Sequence, residues 1–182
     1  MSIPHPFMRH AGLVVITAAI LPGCLLVRTS EHLITVREDG TGEAVMRLID
    51  IRSDGRTDSA VNADFDLFIR ITENDRVPEF EQGGRKITGK RVVVRGDTLM
   101  AEVSYTFPSL FALEGVRVSG DEVYVTVAPD REVVKTNGRV GTEQGGTRIT
   151  WNRDARRLVY QVRERGRPGT TSLASRYAGY RR

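Results

Sequence analysis

The residues able to do chemistry are few, and their spacing limits what they could do. The chain holds one cysteine, Cys24, so no disulfide forms within it, and a thiol mechanism would rest on that position alone. Of the three histidines, His5 and His10 fall in the first ten residues, which leaves His32 as the only imidazole in the body of the chain. One imidazole is too few for the common His-based zinc sites and offers a single partner to any Ser-His or Cys-His pair. Glu31 precedes His32, but neighbours on a strand point to opposite faces, so that carboxylate cannot orient the ring. His32 therefore reads as a strand residue, not as a general base.

The carboxylates do no better. Asp50, Asp54, Gly55 and Asp58 fall at positions 1, 5, 6 and 9 of a calcium-type loop, yet Arg52 stands at position 3 and Val61 at position 12, where ligand oxygens are needed. Asp64 and Asp66 are two apart on an expected helix and point away from each other, so they make no catalytic pair. Gly138, Gly141, Gly145 and Gly146 lack the Lys-Ser/Thr of a phosphate-binding loop and read as a flexible loop. Tyr105, Phe107, Phe111 and Trp151 could line a ligand pocket, but aromatics in a strand-rich domain read first as core. No catalytic residue, metal site or cofactor is assigned on these grounds.

Cys24 has a more specific context. Residues 11–21, AGLVVITAAIL, form an unbroken apolar run after a segment with one charged side chain, Arg9, and have the length of a signal-peptide h-region. The run closes on Leu21-Pro22-Gly23-Cys24. These four residues resemble the lipobox of bacterial lipoproteins, with Leu three positions before the cysteine and a small residue directly before it; Pro22 takes a position more often held by Ala or Ser. The resemblance implies that residues 1–23 are a signal peptide, that Cys24 is acylated, and that 24–30 act as anchor and linker. The protein is then held at the membrane of the cell envelope with its domain outside the cytoplasm. Each buried methylene contributes about 0.8 kcal/mol, so two or more acyl chains hold a protein to a bilayer almost permanently. The alternative is an uncleaved N-terminal anchor: residues 11–27 are apolar for 17 positions, the lower limit for a spanning helix, but Pro22-Gly23 interrupts them.

The elements that must carry any site are mostly strands. Residues 31–37 and 43–51 alternate around Asp39-Gly40-Thr41-Gly42, a hairpin signal. Residues 58–74 carry Val61, Phe65, Phe68 and Ile69 at helical spacing, with Asp58 or Ser59 as cap and Asp64, Asp66 and Arg70 facing water. Further strands are expected at 86–94 and 98–107, at 116–119 and 122–128, and at 132–136. Residues 148–151 and 157–163 are expected to pair with each other. The spacing predicts an α+β fold, mainly an antiparallel β meander of hairpins with one principal helix packed on the sheet, over residues 31–163. It excludes a doubly wound fold and its phosphate crevice.

Charge is divided unevenly. From 153 to 182 there are nine arginines against Asp154 and Glu164, net +7, whereas 24–152 holds 17 basic and 21 acidic residues, net −4. The basic C-terminal tail, 164–182, with Arg163 just before it, makes Arg163, Arg165, Arg167, Arg176, Arg181 and Arg182 candidate contacts to an anionic lipid surface or an acidic envelope partner. Nucleic acid is not expected, since basic and aromatic residues do not interleave before the tail. Taken with Asp64-Phe65-Asp66, Thr171-Ser172-Leu173 and Arg176-Tyr177, the whole chain resembles uncharacterised envelope lipoproteins of this size, which implies no catalytic residues. The expectation is a non-enzymatic binding module for a ligand or protein; the alternative is an envelope hydrolase working with carboxylates.

Overall fold

The computed structural model describes residues 25–74, 77–78, 80–143, 145–166 and 168–182. Residues 1–23, with Leu21, Pro22 and Gly23, and also Cys24 and Arg167, lie outside the described residues.

The first hairpin joins β1 (Leu25–Val36) to β2 (Gly42–Ser53). Asp39 builds its turn by accepting from the Thr41 amide at 3.0 Å and the Thr41 hydroxyl at 2.7 Å, which also holds the Asp39 carboxyl below its ordinary range. After α1 (Asp58–Glu73) come β3 (Lys86–Arg95) and β4 (Thr98–Phe107), then the short hairpin β5 (Val116–Ser119) and β6 (Glu122–Val127). The chain continues through β7 (Arg131–Thr136), β8 (Arg139–Glu143), β9 (Gly146–Asn152) and β10 (Arg157–Glu164), and ends with β11 (Thr171–Ser172) and α2 (Ala174–Tyr180). One sheet has the order β3-β4-β2-β1-β10-β7 with β11 beside the end of β2; the other has the order β5-β6-β9-β8. Every pairing is antiparallel. The α+β class and the dominance of antiparallel sheet agree with the sequence; the helical part is two helices, of 16 and seven residues, the second within residues 172–180, where Leu173, Tyr177 and Tyr180 have helical spacing.

Four local expectations need correction. β1 begins at Leu25, six residues before the expected strand, because Leu25 and Val27 pack under the helices and pair with Ser53 and Ile51. The glycine-rich stretch after residue 137 holds a strand, β8; all five of its residues are exposed, so no apolar alternation marks it. β9 and β10 do not pair with each other: β9 lies between β6 and β8, β10 between β1 and β7, and the turn between them carries the chain from one sheet to the other. Thr57, not Asp58 or Ser59, caps α1, its hydroxyl accepting from the Ala60 amide at 3.2 Å.

The alternation of β4 explains the layering. Leu99, Ala101, Val103, Tyr105 and Phe107 line one face of the strand; the first two pack with α1 and α2, the last three with the second sheet. Helices and second sheet therefore cover different halves of the same face of the large sheet. The opposite face carries a row of charge, where Arg47 on β2 donates to Glu102 at 2.7 Å and to Glu31 at 2.9 Å. Where the chain leaves one sheet for the other, Asn137 accepts from Trp151 Nε1 at 2.7 Å and from the Val159 amide at 2.8 Å, tying β9 to β10 through one side chain. Gly138 follows because a Cβ there would meet the Trp151 ring at 2.7 Å.

Candidate functional site

The strand register fixes what surrounds the first described residue. Leu25 pairs with Ser53, Ser53 pairs on its other side with Thr171, and Arg163 pairs with Thr29. The segment from β10 to β11 must therefore cross past the ends of β1 and β2, around the point where the chain enters β1. Arg52 fastens this crossover, donating from Nε to the Thr170 hydroxyl and from Nη2 to the Thr170 carbonyl, both at 2.8 Å. Asp50 holds the arginines in turn: its carboxylate lies 3.2 Å from Arg52 and 3.6 Å from Arg28. Among the described residues Asp50 is the only non-glycine with positive φ, +60°, a conformation that Asp tolerates better than most side chains. A cleft of about 660 Å³ opens between residues 54–56 and 168–171 at this same end.

Of the six arginines singled out by charge, the five that are described do not gather into one patch. Arg163, on β10, pairs with Glu132 of β7 at 3.3 Å. Arg176, on α2, pairs with Asp58 at 3.3 Å and donates to the Asn62 side chain, so it binds the two helices together. Arg165 is exposed at the end of the sheet where β1 begins, and Arg181 and Arg182 are exposed beyond α2. Much of the basic segment is built into the domain: Leu173 and Ala174 are fully buried beneath α1, and Tyr177 packs edge-on against Phe68.

The residues weighed for catalysis are scattered. Asp50, Asp54 and Asp58 face different surroundings, and among the described residues no group of three or more His, Cys, Asp or Glu converges as metal ligands would. Glu31 faces outward onto Arg47, while His32 faces the core and stacks on Tyr160 with ring centroids 4.4 Å apart and planes 10° from parallel. Burial, and then the charge of Arg131, push the His32 imidazole down to about 4. Burial likewise pushes Tyr105 up to about 12 and raises Tyr160 further. Tyr105, Phe107 and Trp151 are core residues, whereas Phe111, on the 3-10 turn Leu110–Ala112, is 76% exposed.

Two polar residues were missed. Asp64, expected to face water, is buried and accepts from the buried Ser53 hydroxyl at 2.5 Å, while Ser53 Oγ accepts from the Gly55 amide at 2.9 Å. The signal was present, since position 64 lies three residues after Val61 and four before Phe68, on the apolar stripe. The pair locks the end of β2 to α1. Arg85 is the other: it is 8% exposed and its guanidinium lies over the Phe80 ring at 4.5 Å. Nothing in its sequence surroundings marks it.

No family model, curated protein or solved structure matches this chain. Among the described residues no helix is long and apolar enough to cross a membrane.

Proposed function

We propose that the protein is a lipid-anchored lipoprotein of the bacterial cell envelope, attached through acylated Cys24, whose domain binds a ligand or protein partner without catalysis. One observation carries the reading: β1 includes Leu25, the residue directly after Cys24. A lipid on Cys24 would then join the first strand of the large sheet with no free linker. The sheet would stand with its Leu25 end at the headgroups, where the crossover after β10 and the exposed Arg56 and Arg165 lie. β1 and β2 each span 12 residues, so their hairpin turn reaches about 40 Å from the bilayer if the strands stand upright. Phe111 follows β4 at that distal end, since Phe107 pairs with Gly42 beside the turn.

The experiment is metabolic labelling with a fatty-acid analogue in a bacterial host. The wild-type chain should take up label and lose its leader, and Cys24→Ala should take up none and remain the longer precursor. Equal labelling of the two chains would remove the anchor from the reading.

A further inference from the structure

At the distal end, the 3-10 turn Gln82–Gly84 packs on the 3-10 turn Leu110–Ala112, and Arg85 leaves the first of these to start β3. The local backbone is built to bring it there. Gly83 and Gly84 take φ of +76° and +83°, and a Cβ on Gly84 would come within 3.2 Å of Pro108 Cγ. Arg85 is then covered on one side by Phe80, which stands edge-on to Tyr105 at 4.9 Å between ring centroids.

Arg85 Nε is buried without a hydrogen-bond partner, and among the described residues no carboxylate forms an ion pair with the guanidinium. A cation in this position is costly: burial removes its water, and the face of one phenyl ring returns only part of what was lost. Phe80 covers the guanidinium from one side but accepts none of its N–H donors, the groups through which a guanidinium engages a planar carboxylate. Among the described residues, Glu114 is an acid whose field reaches Arg85, but it makes no ion pair with it; burial raises the Glu114 carboxyl, and Arg85 opposes that rise. Glu114 opposes any anion at Arg85, and it opposes a dianion about twice as strongly as a monoanion, so the surroundings favour a ligand group of single charge.

We propose that Arg85 is the anchoring cation of a binding site for a carboxylate group at the distal end of the domain, beside the exposed Phe111. The site gives the binding function a ligand class, a carboxylate-bearing molecule or side chain, and it stands whether or not Cys24 is acylated.

The test uses the whole protein in detergent micelles, labelled with ¹⁵N-arginine. Sodium acetate is titrated against sodium chloride at equal ionic strength, and the Arg85 Nε–H resonance is identified by its loss in Arg85→Lys. Acetate should move that resonance saturably in the millimolar range, and chloride should not. Glu114→Gln removes the nearby negative charge and should tighten acetate about threefold, the size expected of one partly screened charge. The Glu114 variant keeps Arg85 and its stacking, so it also serves if Arg85→Lys fails to fold, the resonance then being assigned by through-bond correlation. A linear response shared with chloride, or an unchanged half-saturation in Glu114→Gln, would overturn the proposal. Tighter binding of inorganic phosphate than of acetate would overturn the choice of carboxylate. None of these outcomes bears on labelling at Cys24, so the two readings fail separately.

Discussion

Acid should weaken this fold through His32 in a range that can be stated in advance. The imidazole stacks on Tyr160 of β10, lies beside Met46 of β2 in the strand register, and feels Arg131 of β7. Its native pKa of about 4 lies below the ordinary 6.5, so the folded state favours the neutral ring. The unfolded chain takes up a proton as pH falls through 6.5, and the folded chain does not until about 4. The stabilisation is therefore fully present above 6.5, is lost as pH falls from 6.5 to 4, and changes no further below. At 1.36 kcal/mol per pH unit, the loss by pH 4.5 is at most about 2.5 kcal/mol. It is a ceiling because part of the His32 surface stays accessible. Urea unfolding of residues 25–182, followed by Trp151 fluorescence, would be measured at pH 7.5, 5.5 and 4.5 for the wild type and for His32→Phe. Phe retains a ring to stack on Tyr160 but cannot titrate, and carboxylate titrations common to both chains cancel. The wild type should lose more stability than the variant, by about 1.4 kcal/mol at pH 5.5 and up to about 2.5 kcal/mol at pH 4.5. Parallel pH profiles would refute the argument.

Three further outcomes follow from particular contacts. Asp64→Ala leaves the buried Ser53 hydroxyl without its acceptor and should cost about 2–3 kcal/mol by denaturant unfolding, whereas Asp66→Ala, exposed on the same helix, should change stability by less than about 0.5 kcal/mol. Gly42→Ala places a Cβ against the Thr35 carbonyl and the Phe107 ring, so the β1–β2 hairpin must distort; the melting temperature should fall by several degrees, while Gly40→Ala, with open space around its Cβ but φ of +82°, should cost only about 1 kcal/mol of backbone strain. In low salt, replacing Arg165, Arg181 and Arg182 by Gln should weaken sedimentation of residues 25–182 with anionic vesicles by up to about 1 kcal/mol per arginine near the surface, and replacing Arg163 and Arg176 should change it little, because Glu132 and Asp58 already neutralise them; equal effects of the two sets would contradict this.

Hairpins were legible because their information is local. Asp39-Gly40-Thr41 and Arg95-Gly96-Asp97 name their turns, and alternation from Leu99 to Phe107 names a face. Sheet membership was not legible, because it depends on distant pairings. Residues 148–151 and 157–163 have the spacing of a hairpin, yet Ile149 and Trp151 belong to one wall of the core and Leu158, Tyr160 and Val162 to the other. The same limit hid β8, which makes its ladder with β9 while burying none of its residues. At the Leu25 end of the sheet, alternation on β1 and β2 changes phase at the Arg28–Asp50 pair, where Asp50 takes φ of +60°; a reading that continued the period from Ile34 and Ala44 could not place Leu25 or Val27.

Charge shows the difference between sequence and space most plainly. Counted along the chain, the last thirty residues are a basic block on a mildly acidic domain. In the fold the block is divided by what each arginine stands beside. Arg163 closes an ion pair across two strands, Arg176 ties α2 to the start of α1, and the Leu173 and Ala174 side chains between them lie beneath the helix. An arginine already paired adds little to the field felt by a distant anionic surface, since the pair is nearly neutral beyond a Debye length of about 8 Å. The cations still able to act at a membrane are those without an ion pair among the described residues, and of these Arg165 and Arg56 stand where β1 begins, next to the residue that would carry the lipid. Arg85 lies outside the basic C-terminal segment, and it is the buried arginine that forms no ion pair among the described residues. For this chain, an arginine's capacity to bind an anion follows from the absence of a partner in space and not from the density of arginines along the sequence.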